Sequence, residues 1–167
     1  MKILLIELET KGHHISSYIR SIVHNLIIKK KKIILLTTSE IKNKDYYSYL
    51  KKNTKIIFTK KIKQPVRKDL ISLLKFQFNY YKIIKNEYLK IIKTNEVNLI
   101  YINTLDFFDK ALAILGSPFN NTKFLGLFIN PKFYDDYKIN IIKKLLYEYF
   151  FNKIPVSYTH LTLPTTP

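Results

Sequence analysis

The sequence predicts an α/β domain with a doubly wound parallel sheet. Short, mostly apolar runs recur along the chain and suit strands buried on both faces, and segments with helical spacing lie between them. Strands that alternate with helices need right-handed crossovers, which give a parallel sheet covered by helices on both faces. We therefore expect one Rossmann-like domain over residues 1–155.

The first predicted strand is Lys2–Ile6, and a polar turn through Gly12 follows it. Apolar side chains then recur at intervals of three and four from Ile15 to Ile27, as an amphipathic helix requires. The lysines at positions 29–32 suit the negative end of that helix dipole. This run of charge therefore needs no nucleic acid to explain it.

The remaining elements follow the same pattern. Predicted strands cover Ile33–Leu36, Lys55–Thr59, Asn98–Ile102 and Phe124–Ile129, and predicted helices cover Asp45–Lys52, Asp69–Lys93, Phe107–Leu115 and Ile139–Phe151. The longest helix is amphipathic, because it carries apolar residues on one face and lysines on the other. Those lysines are Lys75, Lys82, Lys85 and Lys90.

The composition narrows the functional classes. The net charge is +17, the chain has no cysteine, and only Arg20 and Arg67 are arginines. Disulfides, thiolate metal sites and a cysteine nucleophile are thereby excluded, and a reducing cytoplasmic location is expected. The scarcity of arginine argues against base reading in nucleic acid. Two explanations of the lysine excess stay open: an A/T-rich coding sequence, or an anionic partner such as a membrane surface or a phosphorylated ligand.

In an open parallel sheet, ligands bind beyond the carboxyl ends of the strands. The first such loop contains Gly12 and His13 and leads into a helix, so Gly12 permits close approach of the backbone to a phosphate or sugar. A tight turn is the alternative reading of this loop. Asn103 follows the fourth predicted strand and Asn130 follows the fifth, where asparagine amides can bond sugar hydroxyls or cap helices.

Two other polar positions at strand ends are interpreted as helix caps. The Thr37–Glu40 segment is expected to cap the helix after the second strand, and Asp106 is expected to cap the helix that begins at Phe107. No phosphate-binding P-loop, three-glycine dinucleotide fingerprint or HExxH motif occurs in the sequence. We therefore expect no metal site.

Three segments together resemble the N-terminal half of GT-B fold glycosyltransferases of the large retaining, family 4-like group. They are MKILLIELETKGHHISSYIRSIVHNLIIKKKKIILLTTSE, VNLIYINTLD and KFLGLFINP. In that group the first segment corresponds to a strand, a glycine loop, a long helix and a second strand that ends in Thr-Thr. The other two correspond to strands that end in His or Asn.

The resemblance implies an acceptor-binding domain whose partner is a second, C-terminal domain that holds a nucleotide-sugar donor as co-substrate, with no separate cofactor. It assigns substrate binding to Gly12, His13, Asn103 and Asn130. It also implies a glycan or lipid-linked acceptor and peripheral contact with an anionic membrane through the four lysines of the long helix. Aromatic residues near these lysines, namely Phe76, Tyr80 and Tyr88, are expected to assist that contact.

Two alternatives stay open: another Rossmann-type nucleotide-binding enzyme, and a basic, non-enzymatic module that binds anions. The last twelve residues, VSYTHLTLPTTP, lose all lysine and fit neither structural period. They resemble a translated sequencing adapter, so we expect the natural protein to continue beyond Pro155 with different residues.

Overall fold

Five parallel strands form the sheet of the computed structural model, which describes residues 1–10, 14–63, 70–127 and Tyr149. The strands are β1 (Lys2–Ile6), β2 (Lys32–Thr38), β3 (Lys55–Thr59), β4 (Leu99–Ile102) and β5 (Phe124–Gly126). Their order across the sheet is β3-β2-β1-β4-β5, and every neighbouring pair is parallel. The predicted doubly wound, Rossmann-like α/β fold is confirmed.

Helices cover both faces of this sheet. A π-helical stretch, His14–Ile19, continues into α1 (Arg20–Ile28), and the other helices are α2 (Tyr47–Asn53), α3 (Leu70–Ile92) and α4 (Asp109–Leu115). Short 3-10 helices cover Ser39–Asn43 and Leu105–Phe107. Within the described ranges, no helix has both the length and the apolar character that a bilayer-crossing segment requires.

Alternation along the strands divides the core into two clusters. In β1, Leu4 and Ile6 pack with α3 and α4, whereas Ile3 and Leu5 pack with α1 and α2. The same alternation holds in β2 and β4, because successive side chains of a strand point to opposite faces. The central strands are therefore buried on both sides, which explains why they appear in the sequence as continuous apolar runs.

The residues at the two N-cap positions make no side-chain caps. Neither Thr38, which precedes the 3-10 helix Ser39–Asn43, nor Phe108, which precedes α4, makes a side-chain capping bond. Asp106 lies inside the preceding 3-10 helix. Instead, Gln77 of α3 accepts a hydrogen bond from the Lys110 backbone N–H at 2.8 Å. The first turn of α4 is thus satisfied by a side chain from a neighbouring helix, which local sequence spacing does not reveal.

Three further predictions concern residues beyond Leu127. The last predicted helix, Ile139–Phe151, lies outside the described residues except at Tyr149, which is helical. The twelve-residue tail and the end of the predicted fifth strand, residues 128 and 129, also lie outside them.

Candidate functional site at the switch point of the sheet

The strand order creates a topological switch point at the carboxyl ends of β1 and β4. These strands are neighbours, but β1 leads to α1 on one face and β4 leads to α4 on the other. The two connections diverge at this point, and ligands of open α/β sheets bind at such switch points. The side chains that follow β1 and β4 are therefore the first candidates for function.

A buried polar cluster occupies this position. The Glu7 side chain has no solvent exposure, and its carboxylate accepts three hydrogen bonds. The donors are the Asn103 side-chain amide at 2.6 Å, the Thr104 hydroxyl at 3.2 Å and the Glu9 backbone N–H at 2.8 Å. The cluster joins the first residue after β1 to the first two residues after β4. We name these three side chains, Glu7, Asn103 and Thr104, the switch-point cluster.

Burial determines the electrostatics of Glu7. Removal from water penalises the charged carboxylate and raises the pKa from 4.5 to about 7, even though the hydrogen bonds from Asn103, Glu9 and Thr104 lower it. A small charge repulsion from Glu9 adds to the increase. Protonated and ionised forms of Glu7 are therefore both populated near neutral pH. A carboxyl group in this state can accept or donate a proton, as general acid–base chemistry requires.

Several buried polar atoms nearby lack a partner among the described residues. They are the Asn103 carbonyl Oδ1 and the hydroxyls of Thr37 and Thr38, at the carboxyl end of the adjacent strand β2. Buried polar groups are normally paired, so each unpaired atom calls for an explanation. Here they lie at the same edge of the sheet as Glu7, and hydroxyl-rich or amide-bearing ligands have the groups that would satisfy them.

Tyr80 of α3 lies beside the switch-point cluster. Burial raises the pKa of the Tyr80 phenol, and the negative charge of Glu7 raises it further. The hydroxyl lies near Thr104 and the Leu8 backbone but completes no hydrogen bond of good geometry with either. Tyr80 is thus a neutral hydroxyl beside Glu7.

A second polar network extends along the same edge. The Thr10 hydroxyl donates to a Glu40 carboxylate oxygen at 2.8 Å, and Lys61 forms an ion pair with the other oxygen of Glu40. The loops that follow β1, β2 and β3 are therefore linked through Glu40. Because Lys61 and Glu40 are both partly exposed, the ion pair contributes little to stability, and its main effect is to position these loops.

Of the four predicted substrate-binding residues, only Asn103 lies in the described part of the chain. It is fully buried, and its amide binds Glu7 rather than facing open solvent. Gly12, His13 and Asn130 lie outside the described residues. The structure thus places one predicted residue at the switch point, together with Glu7, Thr104 and Tyr80.

The predicted membrane-contact lysines, Lys75, Lys82, Lys85 and Lys90, are all exposed on α3, and Lys90 pairs with Glu87 at 2.8 Å. The expected help from aromatic residues is wrong. Tyr80 and Tyr88 are buried, and Phe76 packs on Tyr80 and Phe107 with ring centroids 5.9 Å apart in both pairs. The exposed face of α3 therefore offers charge to a surface, whereas Tyr80 and Tyr88 are not available as aromatic anchors.

One feature of the sequence indicates that Glu7 is buried, although the periodicity of the apolar residues does not. Glu7 directly follows the apolar run of β1, and the next residue, Leu8, is buried. A single acid between buried residues at a strand end indicates a buried carboxylate. Tyr80 was harder to find, because an aromatic residue on the apolar face of a helix normally belongs to the core.

Two grooves lie away from this cluster. One of about 450 Å³ lies between the end of β3 and α3, and one of about 300 Å³ lies between the first helix and α2. Over the described ranges, no three His, Asp or Glu side chains approach closely enough to hold a metal ion.

Comparison with protein-family models found none that matches this chain, and comparison with curated proteins found no significant match. The functional interpretation therefore depends on the geometry of the switch-point cluster and on the order of the elements.

Proposed function

We propose that this chain is the acceptor-binding half of a glycosyltransferase that moves a sugar from a nucleotide-sugar donor to a glycan or lipid-linked acceptor. The observation that carries the proposal is the switch-point cluster: a carboxylate, an amide and a hydroxyl from two neighbouring strand ends, with the amide oxygen of Asn103 unpaired. Carboxylate and amide groups are the natural partners of sugar hydroxyls, since together they both accept and donate hydrogen bonds.

The raised pKa of Glu7 is consistent with this role. A carboxyl group that is partly ionised at neutral pH can accept the proton of an acceptor hydroxyl as that oxygen becomes nucleophilic. Transfer itself requires a second domain that binds the donor and stabilises the departing diphosphate. These residues would therefore supply the acceptor side of the reaction.

Access to the cluster requires a local movement. Glu7, Asn103 and Thr104 have at most 2% of their surface exposed in this conformation. Glu9, one residue beyond Leu8, is partly exposed, so an acceptor would reach the cluster past Glu9. Ligand-induced loop movement of this kind is common in enzymes and also excludes water from the reacting groups.

The exposed lysines of α3 give the proposal a membrane component. Lys75, Lys82 and Lys85 are free of ion pairs within the described ranges, and each basic residue close to an anionic bilayer contributes about 1 kcal/mol of attraction. A lipid-linked acceptor would be presented at such a surface. Flotation with anionic and with neutral vesicles tests this component separately from acceptor binding.

The test of acceptor binding is an NMR titration of the ¹⁵N-labelled chain with three ligand classes: saccharides, nucleotide sugars and NAD. We expect saccharides at tens of millimolar to shift the amide signals of Glu7, Asn103 and Thr104. The variant Asn103→Ala should lose this response, whereas Asn121→Ala, which removes an exposed amide elsewhere, should keep it. If NAD shifts these signals and saccharides do not, the chain is a different nucleotide-binding enzyme. If no class shifts them, the proposal fails.

A further inference from the structure

Polar side chains line a groove between α2 and the first helix, which comprises the π-helical stretch and α1. Residues from the first helix recur there at intervals of three and four, and one aromatic residue of α2 closes the other side. The lining residues are Ser17, Arg20, Ser21, His24 and Tyr49, and the volume is about 300 Å³. The groove is separate from the switch-point cluster and shares no residue with it.

Every polar side chain in this lining can donate a hydrogen bond, and none is a carboxylate. Arg20 is one of only two arginines among 29 basic residues. Its guanidinium presents donors in a fixed planar fork that matches the oxygens of a phosphate, which a lysine ammonium does not. Among the described residues, Arg20 has no acidic partner that would occupy those donors.

Tyr49 supplies the second observation. Its ring lies 5.6 Å from the Arg20 guanidinium carbon, within the range of a cation–π contact, so the guanidinium is held against one wall of the groove. The Tyr49 hydroxyl is buried and has no hydrogen-bond partner in the described part of the chain. Buried hydroxyls are normally satisfied, so this unpaired donor on a residue that lines the groove calls for a partner.

We propose that this groove binds the dianionic phosphate group of a small molecule. Five donating side chains exceed what the two oxygens of a carboxylate can use, whereas a phosphate has three terminal oxygens that accept strong hydrogen bonds. The groove volume is at the lower limit of the volumes of ligand pockets, so the groove fits a small molecule and not a polymer. Arg20 binds the phosphate through its fork, and Tyr49, the two serines and His24 donate to the phosphate oxygens.

The experiment is an NMR titration of the full ¹⁵N-labelled chain at constant ionic strength. Inorganic phosphate, glycerol 3-phosphate and acetate are compared, with chloride as the balancing anion. We expect saturable shifts of the Arg20 side-chain signal and of the Tyr49 and His24 amides with both phosphates and not with acetate. Tighter binding of glycerol 3-phosphate assigns the site to a phosphorylated small molecule, and equal affinities assign it to free phosphate.

Three variants make the test specific. Arg20→Lys keeps the charge but loses the fork, so we expect affinity to fall by roughly fivefold. Tyr49→Phe removes one hydrogen bond to a charged ligand, so we expect a fall of about tenfold. Lys29→Gln removes an exposed charge beyond the end of α1 and should leave affinity within about twofold.

The proposal is overturned if phosphate shifts lysine signals across the surface without saturation, if acetate binds as well as phosphate, or if Arg20→Lys binds like the parent chain. The Arg20 side chain is exposed, so its substitution should not prevent folding. The result is independent of acceptor binding at the switch-point cluster, because the two sites respond to different ligands and different variants.

Discussion

Replacing Glu7 with glutamine should make the protein more stable at neutral pH and remove part of its pH dependence. Burial raises the pKa of Glu7 in the folded chain to about 7, from 4.5 when the side chain is in water. Between these two values the folded chain holds a proton that the unfolded chain has released. The free energy of unfolding therefore falls as pH rises from about 4.5 to about 7.

The size of the effect follows from the two pKa values. Each unit of difference is worth about 1.4 kcal/mol, so ionisation of Glu7 costs the folded chain roughly 3 kcal/mol at pH 8 relative to pH 4. Glu7→Gln carries no such cost. Its Oε1 can keep the bonds from Glu9 and Thr104, and its amide N–H₂ can donate to the unpaired Asn103 Oδ1 once the Asn103 amide rotates by half a turn.

The assay is urea unfolding of both chains at pH 4, 6 and 8, followed by far-ultraviolet circular dichroism. The stability of Glu7→Gln minus that of the parent chain should increase by roughly 3 kcal/mol from pH 4 to pH 8. Any pH-independent effect of the substitution cancels in this difference. Glu96→Gln, which removes an exposed carboxylate before the amino end of β4, is the matched control. A difference that stays constant with pH, or decreases, would refute the reasoning.

Three further substitutions test the packing around this site by urea unfolding at one pH. Gln77→Ala should cost about 2 kcal/mol, because it removes the acceptor for the first turn of α4 and a 2.7 Å bond to the buried Asp109 carboxylate; an unchanged midpoint would contradict this. Tyr88→Phe should cost about 1 kcal/mol, since its hydroxyl bonds the Phe119 carbonyl at 3.0 Å; equal stability would show that the bond contributes nothing. Gly126→Ala should lower the free energy of unfolding by about 1–3 kcal/mol, because the new methyl group would lie 2.7 Å from a Leu105 side-chain carbon. A gain in stability would show that the Leu105 side chain moves aside without cost.

The sheet could be predicted from the sequence because its central strands are buried on both faces. Residues 2–6 are followed by helical spacing, and a strand that is apolar throughout has few alternatives to a parallel sheet. The long helix α3 was equally clear, since its apolar residues recur over 23 residues. These signals are local, and each is repeated many times within its own segment.

The switch-point cluster could be predicted only in part, because it depends on contacts between distant segments. Asn103 was expected at a strand end, but its partner Glu7 lies 96 positions earlier in the chain. Strand order, which brings β1 beside β4, is decided by the packing of the whole domain. The cap of α4 illustrates the same limit: Gln77 lies 33 positions before Lys110 and reaches it only because α3 packs on α4.

The energetic cost of Glu7 itself bears on function. With the Asn103 bond reversed, a glutamine could make the same number of hydrogen bonds without the cost of burying a charge, so structural needs alone do not favour a carboxylate there. Natural proteins tend to keep such locally unfavourable groups at functional sites. The two experiments on Glu7 and its neighbours separate the explanations. If Glu7→Gln is more stable and no longer binds saccharide, the charge serves the ligand. If it is more stable and binds equally well, Asn103 and Thr104 alone carry recognition, and the carboxylate has a role only in proton transfer or none.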